Sequence, residues 1–305
     1  MLAAFPLQAL LSLLLALPLP LIHGPSEEGD PGAIFDRGDR QVILITGSTG
    51  GLGRETALRL GAAGHHILVH GRSDERGQEV VSAIREAGGA ADFYRADLAS
   101  LDEVRELAAQ VRASHDRLDV LVNNAGIWLT AEEGRRVSED GHELHMQVNH
   151  LSHFLLTHLL LDLLEEGAPS RIVHVASTAQ RPIDFDNVML EQGYSDGRAY
   201  AQSKLAQILF NHELHERLRG TGISTYALHP ATMMDTGMVM DRGAQPRASV
   251  EEGTAALLQL IVSDEVEAGR YYNGLNVARA NEQAYDTEAR ARFWELSAQL
   301  VGLER

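Results

Sequence analysis

From Gln41 onward the chain alternates short apolar runs with longer amphipathic stretches. That rhythm belongs to a parallel sheet covered by helices on both faces. The runs Val42 to Ile45, Ile67 to Val69, Ala91 to Tyr94, Val120 to Val122, Ile172 to Val175, Ser224 to Leu228 and Tyr271 to Tyr272 are mostly β-branched or aromatic, and their spacing leaves room for a helix between neighbours. They predict one α/β domain over residues 41–305, a doubly wound Rossmann-type fold with about seven parallel strands. No repeat of fixed period and no composition shift after residue 40 marks a second domain. Two connections, 181–198 and 230–252, are long and irregular. Loops of that length in a compact domain are usually lids or pocket walls.

The first run leads straight into Thr46-Gly47-Ser48-Thr49-Gly50-Gly51-Leu52-Gly53 and then a helical stretch beginning near Arg54. Glycines let a backbone approach an anion closely, and free amides at a helix start point at it. Gly47, Ser48, Thr49, Gly51, Leu52 and Gly53 are therefore candidate pyrophosphate contacts of a dinucleotide. The second strand should end on the residue that reads the adenosine ribose, and that place is held by Gly71-Arg72. An acid there repels a 2′-phosphate, whereas an arginine can pair with it, so Arg72 favours NADP over NAD; Asp74 and Glu75 nearby argue the other way. A net charge of -17 makes nucleic acid an unfavourable partner, so phosphate binding must be local. The absence of cysteine excludes disulfides, thiolate catalysis and Cys-ligated zinc.

Lys204 is the only lysine beside twenty-five arginines, four positions after Tyr200. That spacing sets both side chains on one helix face. Arginine cannot replace a compact ammonium beside a phenol. A nearby positive charge is expected to lower the phenol pKa towards neutrality, as a general acid/base near pH 7 requires.

With the glycine turn and this pair in one chain, the sequence resembles the short-chain dehydrogenase/reductase family from about residue 41 to the end. Further family marks fall in order: Asp97-Leu98, Asn123-Asn124-Ala125-Gly126, Asn149 and Ser177. Within the family it is most similar to the retinol dehydrogenase-like group, through Val148-Asn149-His150-Leu151-Ser152-His153-Phe154, the insert around Ile183-Asp184-Phe185-Asp186, Ala284-Tyr285-Asp286 and Trp294-Glu295-Leu296-Ser297. The resemblance implies a catalytic set of Asn149, Ser177, Tyr200 and Lys204. It also implies cofactor contacts from Asp97, Leu98, Asn124, Ala125, Gly126, Pro230 and Thr232, with Tyr200 and Lys204 shared between the two sets. Tyr200 would exchange a proton with the substrate oxygen, Ser177 would hydrogen-bond that oxygen, Lys204 would bind the nicotinamide ribose, and Asn149 would order a water beside Lys204. The family usually carries Pro-Gly after the sixth strand, where this chain has Pro230-Ala231-Thr232. That departure puts the backbone contact at Ala231 in question, and leaves open which of Thr232 and Thr236 touches the cofactor.

The expected activity is an NADP(H)-dependent alcohol dehydrogenase or carbonyl reductase acting on an apolar, lipid- or retinoid-like substrate. The alternative is a non-catalytic NADP(H)-binding sensor. Met233, Met234, Met238 and Met240 suit an apolar substrate wall. His142, His145, His150, His153 and His158 are expected on one helix, without a metal role. The resemblance implies a homodimer face on the helices carrying Asn149 and Tyr200. Residues 2–22 are apolar save Gln8 and Ser12, long enough for a membrane anchor though interrupted by three prolines, and residues 23–40 read as a linker. Anchor, signal and misassigned start remain open, and with them membrane-associated or cytoplasmic location.

Overall fold

The computed structural model describes residues 40–303. The apolar stretch 2–22 and the linker, save Arg40, lie outside them. Among the described residues no helix is long and apolar enough to cross a membrane.

The first half of the chain runs β1 (Val42–Ile45), α1 (Gly51–Ala62), β2 (His66–Gly71), α2 (Asp74–Glu86), β3 (Ala90–Arg95) and α3 (Leu101–Ser114). The second begins with β4 (Val120–Asn123), followed by a short α4 (Leu144–Met146), a π-helical turn over Gln147–Leu151, α5 (Ser152–Leu159), α6 (Leu161–Glu166) and β5 (Ser170–Val175). It ends with α7 (Asp196–Arg217), β6 (Ile223–His229), α8 (Gly237–Met240), α9 (Val250–Val262), β7 (Tyr271–Asn273), β8 (Asn276–Ala278) and α10 (Thr287–Leu300). The sheet order is β3-β2-β1-β4-β5-β6-β7-β8. Every strand expected from the sequence is present, and these seven run parallel to one another. An eighth, β8, pairs antiparallel with β7 through a two-residue turn in which Gly274 has φ +57°.

Buried strands facing helices on both sides need apolar residues on both faces, and the register supplies them. Leu44 lies beside Leu68 and Leu121, and these pack with Ile172 against the layer of α3, α5 and α7. Their neighbours Ile43, Ile45, Val120, Val122, Val173 and Val175 face the layer of α1 and α9. The helices start where the sequence offers caps. Ser73, Ser100, Ser195 and Ser249 each accept a backbone amide at the first turn of α2, α3, α7 and α9.

The five histidines expected on one helix are divided. His142 precedes α4, and the π-helical turn breaks the run. His142 bonds Gln147, His145 bonds Glu143, His150 bonds Ser297, His153 bonds Thr46 and His158 bonds the Phe154 carbonyl. A π-bulge shifts the hydrogen-bond phase, so residues on either side point differently from a continuous helix. The face of α5 and α7 that the resemblance assigns to a dimer is partly covered by α10 of the same chain. Trp294 meets Phe154 and Phe210 at centroid distances of 5.1 and 5.7 Å, and the Arg217 guanidinium lies 4.2 Å from the indole centre.

Candidate active site

The strand order reverses between β1 and β4, and a doubly wound sheet opens a crevice at the carboxyl ends of such a pair. The loops after β1 and β4 meet there. Thr46 Oγ1 accepts from the amides of Asn124 and Ala125 at 2.9 and 3.0 Å, and Asn124 Nδ2 donates back to the Thr46 carbonyl at 2.7 Å. His70 Nδ1 accepts the Gly47 amide at 3.0 Å, fixing the glycine turn from the β2 side. A side chain on Gly53 would put its Cβ 2.5 Å from Asn124 Nδ2 and 2.6 Å from the Gly47 carbonyl. Gly47 and Gly51 hold φ of +66° and +52°, which a larger residue resists. Unlike the serine-capped helices, α1 has Gly50 at its N-cap, so it carries no side-chain cap, and it has no acid in its first turn. Its free amides therefore face the cleft, as an anion site requires. The residues present fit a dinucleotide pyrophosphate.

Of the candidates for this end, Gly47, Thr49, Gly51, Leu52 and Gly53 line the cleft. Ser48 does not. Its hydroxyl donates to the Ile45 carbonyl at 2.8 Å and accepts the His70 amide at 3.0 Å, so it braces the turn from within. Arg72 lies at the cleft edge with an exposed side chain, its Nη1 3.7 Å from Asp97 Oδ2, and Arg76 joins it from α2. Leu98, Asn124, Ala125 and Gly126 follow along the floor.

Tyr200, Lys204 and Ser177 meet across this cleft, whose volume is about 920 Å³. Ser177 Oγ accepts the Ala179 amide at 3.1 Å, which leaves its proton to donate, and it hydrogen-bonds the Tyr200 phenol. Lys204 Nζ donates to the Val175 carbonyl at 2.8 Å and to Gln207 Oε1 at 2.9 Å. Burial pushes the Lys204 ammonium down to about 7. Burial also raises the Tyr200 phenol, against the pull of its Ser177 bond. This corrects the expected lowering. The ammonium lies 5.8 Å from the phenol ring centre, and the loss of solvation outweighs it. The phenol therefore keeps its proton near pH 7, and the Lys204 cation does not acidify it.

Asn149 sits in the π-helical turn behind this set rather than on the cleft wall. Its Oδ1 accepts the Ile127 amide at 2.8 Å, and its Nδ2 donates to the Ile127 carbonyl and to Ser203 Oγ at 3.1 and 2.9 Å. Pro230, Thr232 and Thr236 all line the cleft. Thr232 bonds His229 at 3.0 Å, and Thr236 packs on Gly51. Ala231 is not among the residues with positive φ; Met233 is, at +53°, so the glycine usual in the family is not required here.

Sequence reasoning missed a layered stack. The Trp128 indole lies 5.0 Å from the Tyr200 ring at an interplanar angle of 23°, and the Arg242 guanidinium lies over the indole 4.0 Å from its centre. Arg242 Nη1 reaches the carbonyls of Trp128 and Leu129, and Nη2 pairs with Asp196 at the start of α7 at 2.8 Å. The only signal was an aromatic residue two positions after Gly126.

A glycine turn at a switch point and a Ser–Tyr–Lys set above it define an oxidoreductase built on a dinucleotide-binding Rossmann scaffold. The short chain dehydrogenase family pattern matches residues 41–247, and the chain belongs to that family. Its resemblance is to the retinol dehydrogenase-like members. It is 35% identical to human Retinol dehydrogenase 11 over 279 residues, 86% of each chain, and 36% identical to human Retinol dehydrogenase 13 over 292 residues, 87% of this chain and 85% of that one. Among solved structures, an uncharacterized protein from Mycobacterium paratuberculosis matches with a TM-score of 0.74 and 28% identity, covering 91% of this chain and 99% of its own. The Pseudomonas aeruginosa RhlG/NADP active-site complex matches with a TM-score of 0.63 and 26% identity, over 76% and 94%.

Proposed function

We propose that the protein is an NADP(H)-dependent oxidoreductase that interconverts an apolar alcohol and its carbonyl compound. The convergence of Ser177, Tyr200 and Lys204 on the cleft that also holds the glycine turn carries this reading. A bound nicotinamide would supply the hydride. In the reductive direction Tyr200 gives its proton to the carbonyl oxygen as charge develops there, and Ser177 donates a hydrogen bond to the same oxygen. Lys204 holds positive charge below the phenol and stabilises it once the proton has left. Arg72 and Arg76 at the adenosine end support NADP over NAD, since both can reach a 2′-phosphate. Met233, Met234, Met238, Val239 and Leu129 give the opposite end an apolar wall, which with the retinol dehydrogenase relatives supports a retinoid- or lipid-like substrate. Residues 2–22 would hold such an enzyme at a membrane, where apolar substrates concentrate.

The test is consumption of NADPH and NADH by the full-length protein with aldehydes and ketones from short polar to long-chain and retinoid. The expected result is turnover at least tenfold faster with NADPH, rising with substrate apolarity. Tyr200→Phe should abolish it while NADPH binding persists. NADPH that binds and is consumed with no carbonyl would overturn the catalytic role and leave a sensor.

A further inference from the structure

Lys204 is 3% exposed, and the buried ammonium meets no carboxylate: among the described residues burial alone accounts for its depressed pKa. Its solvation is replaced by two neutral oxygens, the Val175 carbonyl at the end of β5 and Gln207 Oε1 one helical turn further along α7. Gln207 is itself 1% exposed, and its Nε2 finds no hydrogen-bond partner among the described residues. An ammonium only donates, so the glutamine amide has one usable orientation, oxygen towards Lys204. Turning it round to seek a partner for Nε2 would set an NH₂ against the NH₃⁺. The unpaired donor is the cost of that orientation, and an apolar side chain would avoid it.

We infer that Gln207 is a positioning residue for Lys204, presenting the second acceptor that keeps the ammonium charged and drawn to the inner side of the cofactor cleft. The inference rests on the proposed proton-transfer role of Tyr200 and Lys204, and it adds a residue that does not line the cleft. The two acceptors leave the third N–H of Lys204 on the side of Gly126, where a Cβ built on that glycine would lie 3.4 Å from Nζ and 3.3 Å from Asn149 Oδ1. Gly126 is bare at the point where the ammonium must meet a cofactor hydroxyl. The other titratable groups facing Lys204 are Tyr200 on its own helix, His153 on α5 and His229 at the end of β6, and both histidines feel its charge. Burial holds the two imidazoles neutral, at about 3 and about 4, so neither competes for the same acceptors as a cation near pH 7.

Because Lys204 is the sole lysine, the protein labelled with ¹³C,¹⁵N-lysine gives a single side-chain signal. Its titration is read by NMR without cofactor or substrate. The wild-type midpoint is expected about pH 7. Gln207→Leu removes one acceptor and should move the midpoint down by about one unit, a tenfold change in the protonation equilibrium. Gln207→Glu places a carboxylate of the same shape there and should move it up by at least about one unit. The alkaline limb of kcat/KM for carbonyl reduction should follow in the same directions. Midpoints within about 0.3 unit of wild type in both folded variants would overturn the inference. If the leucine variant does not fold, the glutamate variant decides alone, an unmoved midpoint refuting the role. Failure of the catalytic reading shows separately, as absent turnover in the wild-type enzyme, and leaves the titration intact.

Discussion

Acidification to pH 5 should cost this protein most of its stability, through four histidines that cannot be charged where they sit. His70, His150, His153 and His174 are each no more than 2% exposed. Burial pushes His70 down to about 4 and the other three to about 3, from an ordinary value of 6.5. The sign follows from linkage. Folded-state values lie below the unfolded ones, so the unfolded chain binds protons that the native state refuses, and stability present above about pH 6.5 falls as the pH drops towards the folded values. At pH 5 all four rings are neutral in the native state, so the penalty depends only on the unfolded chain. A unit of pKa is worth about 1.4 kcal/mol, giving about 2 kcal/mol for each ring at pH 5 and about 8 kcal/mol for the four. That is comparable to the whole stability of an ordinary domain, about 5–15 kcal/mol. Carboxylates held low, such as Asp196 beside Arg242, lose their contribution only below about pH 4. Urea unfolding followed by circular dichroism between pH 7.5 and 5 should give a slope of at least about 5 kcal/mol per pH unit at the acid end, to which His212 and His229, each also pushed down to about 4, add. His150→Phe, placed among Phe154, Phe210 and Phe293, should reduce that slope by about 1.4 kcal/mol per unit. Uptake of fewer than about one proton on unfolding at pH 5 would refute the reasoning.

Two further substitutions probe the cleft. Gly53→Ala drives a Cβ into the Gly47 carbonyl and Asn124 Nδ2, so NADPH affinity should fall at least about 100-fold, with the melting temperature lowered as the turn distorts; unchanged affinity by fluorescence titration would contradict the cradle. Arg242→Ala releases the partly buried Asp196 pair and uncovers Trp128, so KM for an apolar carbonyl should rise about five- to tenfold while the NADPH affinity holds; an equal loss in cofactor affinity would show that the stack serves the nucleotide instead.

The periodicity of the chain located the seven parallel strands because the central ones, β1, β4 and β5, are buried on both faces, and even the edge strand β3 keeps Ala91, Phe93 and Tyr94 in a short run between helical stretches. β8 escaped, being three residues with only Val277 clearly strand-forming, on an edge where burial imposes no pattern. Local chemistry explains the legible half of the site. The glycine turn, Arg72 and the Tyr200–Lys204 spacing each carry their geometry within a few residues. Trp128 and Arg242 meet across 114 positions through carbonyl contacts that any residue could offer, so nothing in the sequence announces the latch. Ser48 shows the converse limit. A hydroxyl in a glycine-rich turn reads as a ligand, and only the fold reveals that β1 and β2 have claimed its two bonding directions, through Ile45 and His70. The phenol of Tyr200 was misjudged for a related reason: the sequence displays the cation that would acidify it but not the burial that outweighs the cation.

α10 brings a consequence for biosynthesis. All the residues that meet in the cleft lie at or before Val239 and have been translated by then, yet the turn that carries Asn149 is braced by what comes last. Phe293 tilts against His150 at 4.7 Å, and Ser297 holds the same ring at 2.8 Å. A ribosome that has finished Ser177, Tyr200 and Lys204 has still to release the segment that packs behind Asn149. Premature termination near residue 285 would thus leave a nascent chain carrying every motif of the family and an unsupported site, with the aromatic surface of α5 and α7 open to the cell's quality control.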